Sequence, residues 1–317
     1  MATVTPSGVV AKPRPAPTGV GRRYDRVALL FLGPPALLLT IFHVYPTIYT
    51  IALSFNRGRR GDFTEWVGFD HYVGLLTKDP SFLSLAKFPP SGALWNNLLW
   101  GVFYTSLVIF FGLVVAVLAS RVRYESIIKA VVFLPMAIAA TALAIIWNFV
   151  YAPDSNIGLL NAILEPIAGG GFSWLGNASL VNWALIAAGI WGSVGFATVI
   201  LSAALKSIPS EILEAARVDG AREAQIFFRI IIPMVSLPIS VLAVTLVVNV
   251  IKLFDLIYVL TNGGPGTASR VVAFTMYQES IPGGQFGRGA AVAVIMLVLL
   301  TPVMIYNIRR FRTSKVT

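Results

Sequence analysis

Six stretches of mostly apolar residues, at 27–55, 95–120, 130–151, 180–205, 234–260 and 290–308, account for much of this 317-residue chain. Each is near or above the roughly 20 residues that a helix needs to cross the hydrocarbon of a bilayer. Only a helix or a closed barrel keeps its backbone hydrogen-bonded there, and runs of this length favour the helix. With 56% hydrophobic and 12% charged residues, a soluble fold is excluded. The chain reads as an all-α integral membrane protein with six transmembrane helices. Pro34, Pro35 and Pro46 are expected to bend or shorten the first of them. That block is too long for a cleaved signal peptide and lacks a small-residue cleavage site. Residues 1–24, rich in Pro, Ala and Arg, read as a disordered tail, and 25–317 as one six-span domain.

The net charge of +10 invites a nucleic-acid partner until the charges are located. Sixteen of the 24 Lys and Arg fall on the side that carries both termini: near the N-terminus, at 121–129, at 206–229 and at 309–315. Seven fall on the other side, among them Arg57, Arg59 and Arg60, and Lys252 lies inside a block. Basic residues accumulate on the cytoplasmic side of a membrane protein, so both termini are expected in the cytoplasm. The positive excess is a topology signal, and no nucleic acid is expected as a partner.

Several chemistries are absent. There is no cysteine, and the two histidines, His43 and His71, have no companions for a metal site. His43 reads as a packing residue. Asn177-Ala-Ser179 fits a glycosylation sequon that has meaning only in a secretory pathway. No catalytic cluster stands out, which argues against a membrane-embedded enzyme. The glycine clusters at 169–171, 263–264 and 283–284 lack the lysine of a phosphate-binding loop, so this chain has no cofactor of its own. No internal repeat of the kind common in secondary transporters is visible.

The segment between the fourth and fifth blocks, about 206–233, is unusual for a membrane protein. Ser207 or Ser210 is placed to cap a helix start, Pro209 suits its first turn, and Glu211 complements the helix dipole. Gly220 is suited to the left-handed residue that ends the helix, and a second helical stretch at about 221–230 should stop at Pro233. Ile212, Ala215 and Ala216 fall on one side of the first helix, where two alanines leave room for another backbone. Glu214 and Arg217 beside them are available for directed charge contacts. On residue types alone, an amphipathic loop lying at the headgroups is an equal alternative.

The same segment resembles the coupling loop of ABC-importer permeases, whose pattern is E-A-A, three residues, G, nine residues, then I-x-L-P. Here it is met by Glu214, Ala215, Ala216, Gly220, Ile230, Ile232 and Pro233, with isoleucine at 232 in place of leucine. Val44-Tyr-Pro-Thr47, the run 66–72, Phe133-Leu-Pro-Met136 and the run 258–265 are similar to the larger-type permease of the maltose importers. Leu134-Pro-Met-Ala-Ile138 with the run 146–151 is similar to the α-glucoside branch. The resemblance implies a type I ABC importer permease fold in a bacterial inner membrane. It also implies four kinds of partner: a second permease, a dimer of ATPase subunits carrying ATP and magnesium, an extracytoplasmic solute-binding protein, and a sugar. The binding protein would meet the loops 56–94, 152–179 and 261–289. Glu214, Ala215, Ala216, Arg217, Asp219, Gly220 and Pro233 would couple to the ATPase.

Two blocks are candidate walls of a solute path. In the fifth, Thr245, Asn249, Lys252 and Asp255 recur at helical spacing as one polar stripe, either functional or held by an internal Lys252–Asp255 ion pair. In the fourth, Gly189, Gly192 and Gly195 remove bulk, Ser193 offers a hydroxyl, and Trp191 and Phe196 offer flat faces of the kind that pack on sugar C–H surfaces. Gly189-x-x-x-Ser193 equally fits close helix packing. Alignment on the coupling motif places the maltose-type sugar contacts on Gly189, Gly192, Ser193, Phe196, Leu246, Asn249 and Val250, with Lys252 added from the stripe. Leu246 and Val250 stand where that pattern has serine and asparagine, so the maltose contacts are not preserved. The competing class is an ion-coupled secondary carrier with Lys252 and Asp255 as its relay.

Overall fold

The computed structural model describes residues 21–58, 61–86, 88–169 and 171–313. Their regular structure is helical apart from two isolated bridges, Asn56 with Trp66 and Ser84 with Ser91. The chain divides into two compact units, 1–49 and 50–317.

The first unit holds the helix Gly21–Leu39, a π-helical turn Thr40–Val44, and the start of Tyr45–Leu53. Residues 21–24 of the expected tail are therefore helical, and 1–20 lie outside the described residues. The first span, Ala28–Leu53, passes through all three prolines, which corrects the expectation that they bend or shorten it. A proline crowds the carbonyl four residues back. For Pro46 that carbonyl belongs to Phe42, inside the π turn, where the wider bond from Tyr45 N–H to Thr40 O makes room. The Thr47 hydroxyl also donates to His43 O at 2.7 Å.

In the second unit, Ala93–Ala119, Val181–Lys206 and Phe286–Arg310 are continuous helices long and apolar enough to cross a membrane. Two more crossings are bent pairs: Glu125–Ala137 with Ala140–Val150 at 99°, and Glu223–Met234 with Ser236–Ile251 at 69°. With each pair counted once, the described residues contain six spans, one for each apolar block. The 99° bend follows Pro135 in the 3-10 turn Leu134–Ala137, after which Ile138 leaves helical geometry at ψ 135°. The fifth block departs most from its expected bounds of 234–260. Its helical path starts at Glu223, continues past Pro233, bends at Val235 and ends at Ile251, and Asp255–Leu260 is a separate helix. Pro233 fails to stop it because the π turn Phe227–Ile231 lies just before, as at Pro46. The end at Ile251 is met from another span. Asn97 Nδ2 donates to Val250 O at 2.9 Å, beside the bond that carbonyl accepts from Leu253 N–H at 3.2 Å.

Spans two and three both pack closely on span four because of glycine. A methyl group on Gly112 of span two would lie 2.5 Å from Ala197 Cβ, and one on Gly195 of span four would lie 2.5 Å from Val132 O of span three. At the ends of spans two and four and in the loops, buried asparagines replace water as backbone partners. Asn96 Nδ2 donates to Ala268 O and Arg270 O at 2.8 and 2.7 Å, and Asn182 Nδ2 donates to Ala268 O at 2.9 Å. Asn161, fully buried, donates to Ala152 O and Phe172 O and accepts from Phe172 N–H, each at 2.9 Å, organising the loop 152–179.

Asp79 joins the first long loop to the start of the last span. It accepts from Ser81 N–H and Oγ and pairs with Arg288, whose Nε also lies 3.2 Å from Glu279 Oε2. Burial pushes the Asp79 carboxyl up, but the Ser81 hydrogen bonds and the Arg288 guanidinium outweigh it and hold the carboxyl below its ordinary value of 3.8. A lowered folded-state pKa means that this contribution is full above the ordinary value and is lost as pH falls through the folded one. Asp79→Asn should cost about 1–2 kcal/mol after allowance for partial exposure, read as a lower melting temperature and faster amide exchange at 74–83. The gap from the native protein should close as pH falls below the ordinary carboxylate range.

Candidate functional site

The bend in span three, the middle of span four and the end of span five enclose a cavity of about 210 Å3. Of the residues expected on a solute path, Gly189, Gly192, Ser193, Asn249 and Val250 line it. Phe196 is instead half-buried against the core, and Leu246 is 1% exposed within it. Lys252 is exposed at the end of its helix and lines no part of the cavity. The expected polar stripe is also corrected. Helix ends at Ile251 and resumes at Asp255, so Lys252 and Asp255 do not share one helical face. Among the described residues, neither makes an ion pair, so neither the relay nor the packing pair has its geometry.

The two readings of the span-four glycines separate by position. Gly195 meets backbone, as a packing residue does. At Gly189 an added methyl would stand 3.0 Å from the Trp100 ring and 3.3 Å from that of Tyr104, and at Gly192 it would stand 2.6 Å from Leu143 Cδ1. These last two keep open a space walled by aromatic and aliphatic side chains.

Trp100, Tyr104, Leu143, Leu253 and Leu256, with Pro135, Met136, Ile138 and Ala140 at the bend of span three, complete the lining and were not expected on the solute path. Trp100 and Tyr104 lie one turn apart on span two, a spacing that could have marked them. Tyr104 donates to Ser193 Oγ at 2.7 Å, tying spans two and four across the cavity. Trp100 Nε1 is buried without a partner, and Asn249 makes no hydrogen bond among the described residues. The lining thus offers two aromatic faces, a spare N–H, an amide and a hydroxyl, with no formal charge. That chemistry suits a neutral, hydroxyl-bearing solute.

At the other candidate region, the helix Ser210–Val218 forms with Pro209 before it and no side-chain cap. Neither serine caps it as expected: Ser210 is its first residue, and Ser207 donates to Ala204 O at the end of span four. Gly220 takes φ +76°, with Ala221 N–H bonded to Ala216 O and Gly220 N–H to Arg217 O, both at 3.0 Å. That is a Schellman ending. Leu213 and Ala216 pack on the core while Ile212, Glu214, Ala215 and Val218 face outward, Val218 being 87% exposed. Ala216 is thus split from Ile212 and Ala215, with which it was grouped. Arg217 turns inward to Glu223 at 2.9 Å, and Arg121 reaches the same carboxylate at 2.5 Å. Glu125 holds Lys129 and Lys206, the latter at 3.0 Å. The helix is thereby linked to the start of span five and the turn after span two, and the start of span three to the end of span four.

The Tyr104–Ser193 bond is open to a double-mutant cycle. Tyr104→Phe and Ser193→Ala should each lower unfolding stability by about 1 kcal/mol, and the pair together by clearly less than the two losses added. Thermal melts of the detergent-solubilised protein measure it, and full additivity would mean that the two groups do not interact.

Comparison with known proteins follows the same lines. The sequence model of a family described as "Binding-protein-dependent transport system inner membrane component" matches residues 108–308. The osmoprotective compounds uptake permease protein GgtC of Synechocystis is 43% identical over 90% of this chain and 99% of its own length. The alpha-glucoside transport system permease protein AglF of Rhizobium meliloti is 40% identical over 88% and 81%. A chain of the bacterial alginate ABC transporter, crystallised with an alginate pentasaccharide-bound periplasmic protein, shares the fold. Its TM-score is 0.74 at 22% identity, covering 90% of this chain and 94% of that one. Six apolar crossings, the linked helix Ser210–Val218 and this match over most of the chain agree: the protein belongs to the binding-protein-dependent transport system inner membrane components, the non-enzymatic, multi-pass permeases of ABC transporters.

Proposed function

We propose that this chain forms one half of the translocation path of an ATP-driven importer for small neutral glycosides, with α-glucosides as the favoured class. The supporting observation is the cavity, whose aromatic faces, spare Trp100 N–H and unpaired Asn249 amide suit sugar hydroxyls and C–H faces. At about 210 Å3 it is smaller than the roughly 300–1,000 Å3 typical of ligand sites, consistent with a wall completed by a second permease. The names of relatives that handle osmoprotective compounds and alpha-glucosides support the same class.

In this reading both termini lie in the cytoplasm, and the helix Ser210–Val218 seats in one of two ATPase subunits that bind ATP and magnesium. Exposed Ile212, Glu214, Ala215 and Val218 form the contact, and Gly220 sets the exit of the chain. Pro233 lies beside the bend through which movement reaches span five. Arg217, Glu223 and Arg121 carry the displacement to the turn after span two, and Asp219 ends the helix. An extracytoplasmic binding protein delivers the sugar to the loops 56–94, 152–179 and 261–289.

Uptake of a labelled α-glucoside into vesicles of the assembled transporter should continue with ATP when proton and sodium gradients are collapsed, and uptake that stops would favour an ion-coupled carrier. Glu214→Lys or Gly220→Val should give assembled protein without solute-stimulated ATP turnover. A Cβ at Gly220 meets nothing within 4 Å, so the valine costs mainly its left-handed backbone, about 1–2 kcal/mol. Normal coupling in both variants would remove the proposed role of this helix.

The double variant Ser193→Ala, Asn249→Ala should weaken uptake roughly tenfold or more while leaving assembly intact, each lost polar contact accounting for about 1 kcal/mol. Unchanged kinetics would place the sugar elsewhere.

A further inference from the structure

A second cavity, of about 690 Å3, lies between spans five and six, on the face of Ser236–Ile251 away from Asn249. One wall is Ser236, Ile239, Ser240, Ala243 and Val247, and the other is Pro302, Val303 and Tyr306. Small residues on span five and the ring of Pro302, which cannot bond back into its helix, leave the groove open. From Ser236 to Val247 it runs about 17 Å at 1.5 Å per residue, close to half the roughly 30 Å hydrocarbon thickness. It is one leaflet long.

Arg310 closes one end. Its Nη1 donates to Tyr306 Oη at 2.9 Å and its Nη2 to Ser236 O at 3.2 Å. No carboxylate pairs with it among the described residues. An unneutralised guanidinium at the mouth of an apolar groove is complementary to a molecule with an anionic head and a long hydrocarbon tail. The mouth falls in the basic run 309–312, which the proposed topology puts at the cytoplasmic headgroup layer.

We infer that this groove binds one anionic phospholipid of the cytoplasmic leaflet, its phosphate on Arg310 and an acyl chain between Ala243 and Val303. The inference rests on the proposed orientation but not on the solute or the ATPase, so transport results cannot decide it.

The assembled transporter, purified in mild detergent, would be exchanged with phosphatidylglycerol or phosphatidylcholine and weighed by native mass spectrometry. One retained phosphatidylglycerol per copy of this subunit is expected, with phosphatidylcholine retained far less. Arg310→Gln should reduce retention on the order of fivefold, and Arg310→Lys should largely restore it. Ala243→Phe, which fills the groove, should abolish retention while Arg310 stays in place. Equal retention of both lipids, or native retention by Arg310→Gln, would overturn the assignment. So would cross-linking of Ala243→Cys to a protein helix instead of lipid.

Discussion

In hydrocarbon a peptide group has no water to turn to, so every departure from the helix must bring its own hydrogen-bond partner. The irregular features of this chain are organised by that constraint. At Pro46 a π turn makes room for the proline ring, and at Pro233 a π turn does so again. Where span five ends, a side chain from span two donates to one of its last carbonyls. Because that donor belongs to another span, the break also marks where the two spans meet. The cavity lies beside that meeting point, with Asn249 and Val250 at the last helical turn and Trp100 and Tyr104 one and two turns beyond Asn97.

Glycine serves two ends within one helix of span four. At Gly195 the absence of a side chain brings backbone against backbone, and at Gly189 and Gly192 it preserves space beside aromatic and aliphatic groups. Sequence spacing cannot tell these apart, since the three lie at successive i+3 steps; the identity of the opposing atom decides. The existence and number of the apolar crossings were legible because hydrocarbon imposes a length. The coupling segment was legible because its pattern of acid, alanines, glycine and proline is specific. The lining residues Trp100, Pro135 and Leu143 were not, because an apolar side chain facing a cavity and one facing lipid look alike in a sequence. Lys252 was placed off the cavity for the opposite reason. Its charge drew attention within an apolar block, but the block was two helices, and the break between them falls where Asn97, some 150 residues away in the chain, meets Val250 O.

Rigid links and hinges alternate along the chain in a way that suits mechanical transmission. The carboxylates of Glu223 and Glu125 are each shared between two cations. Such exposed pairs add little stability, yet a carboxylate held from two directions fixes geometry more firmly than a single pair does. Through them the helix Ser210–Val218, the turn after span two, the starts of spans three and five and the end of span four form a connected plate. Beyond it lie the two bends, at 138–139 and at Val235. Of these, the bend in span three contributes Pro135, Met136 and Ile138 directly to the cavity wall. A displacement of the plate would therefore reach the cavity through a hinge already built from its own lining, with no long relay of intervening side chains. This is the arrangement expected where a small movement at one face must open or close a space near the middle of a membrane, because stiff segments carry the displacement and a hinge converts it into a change of shape.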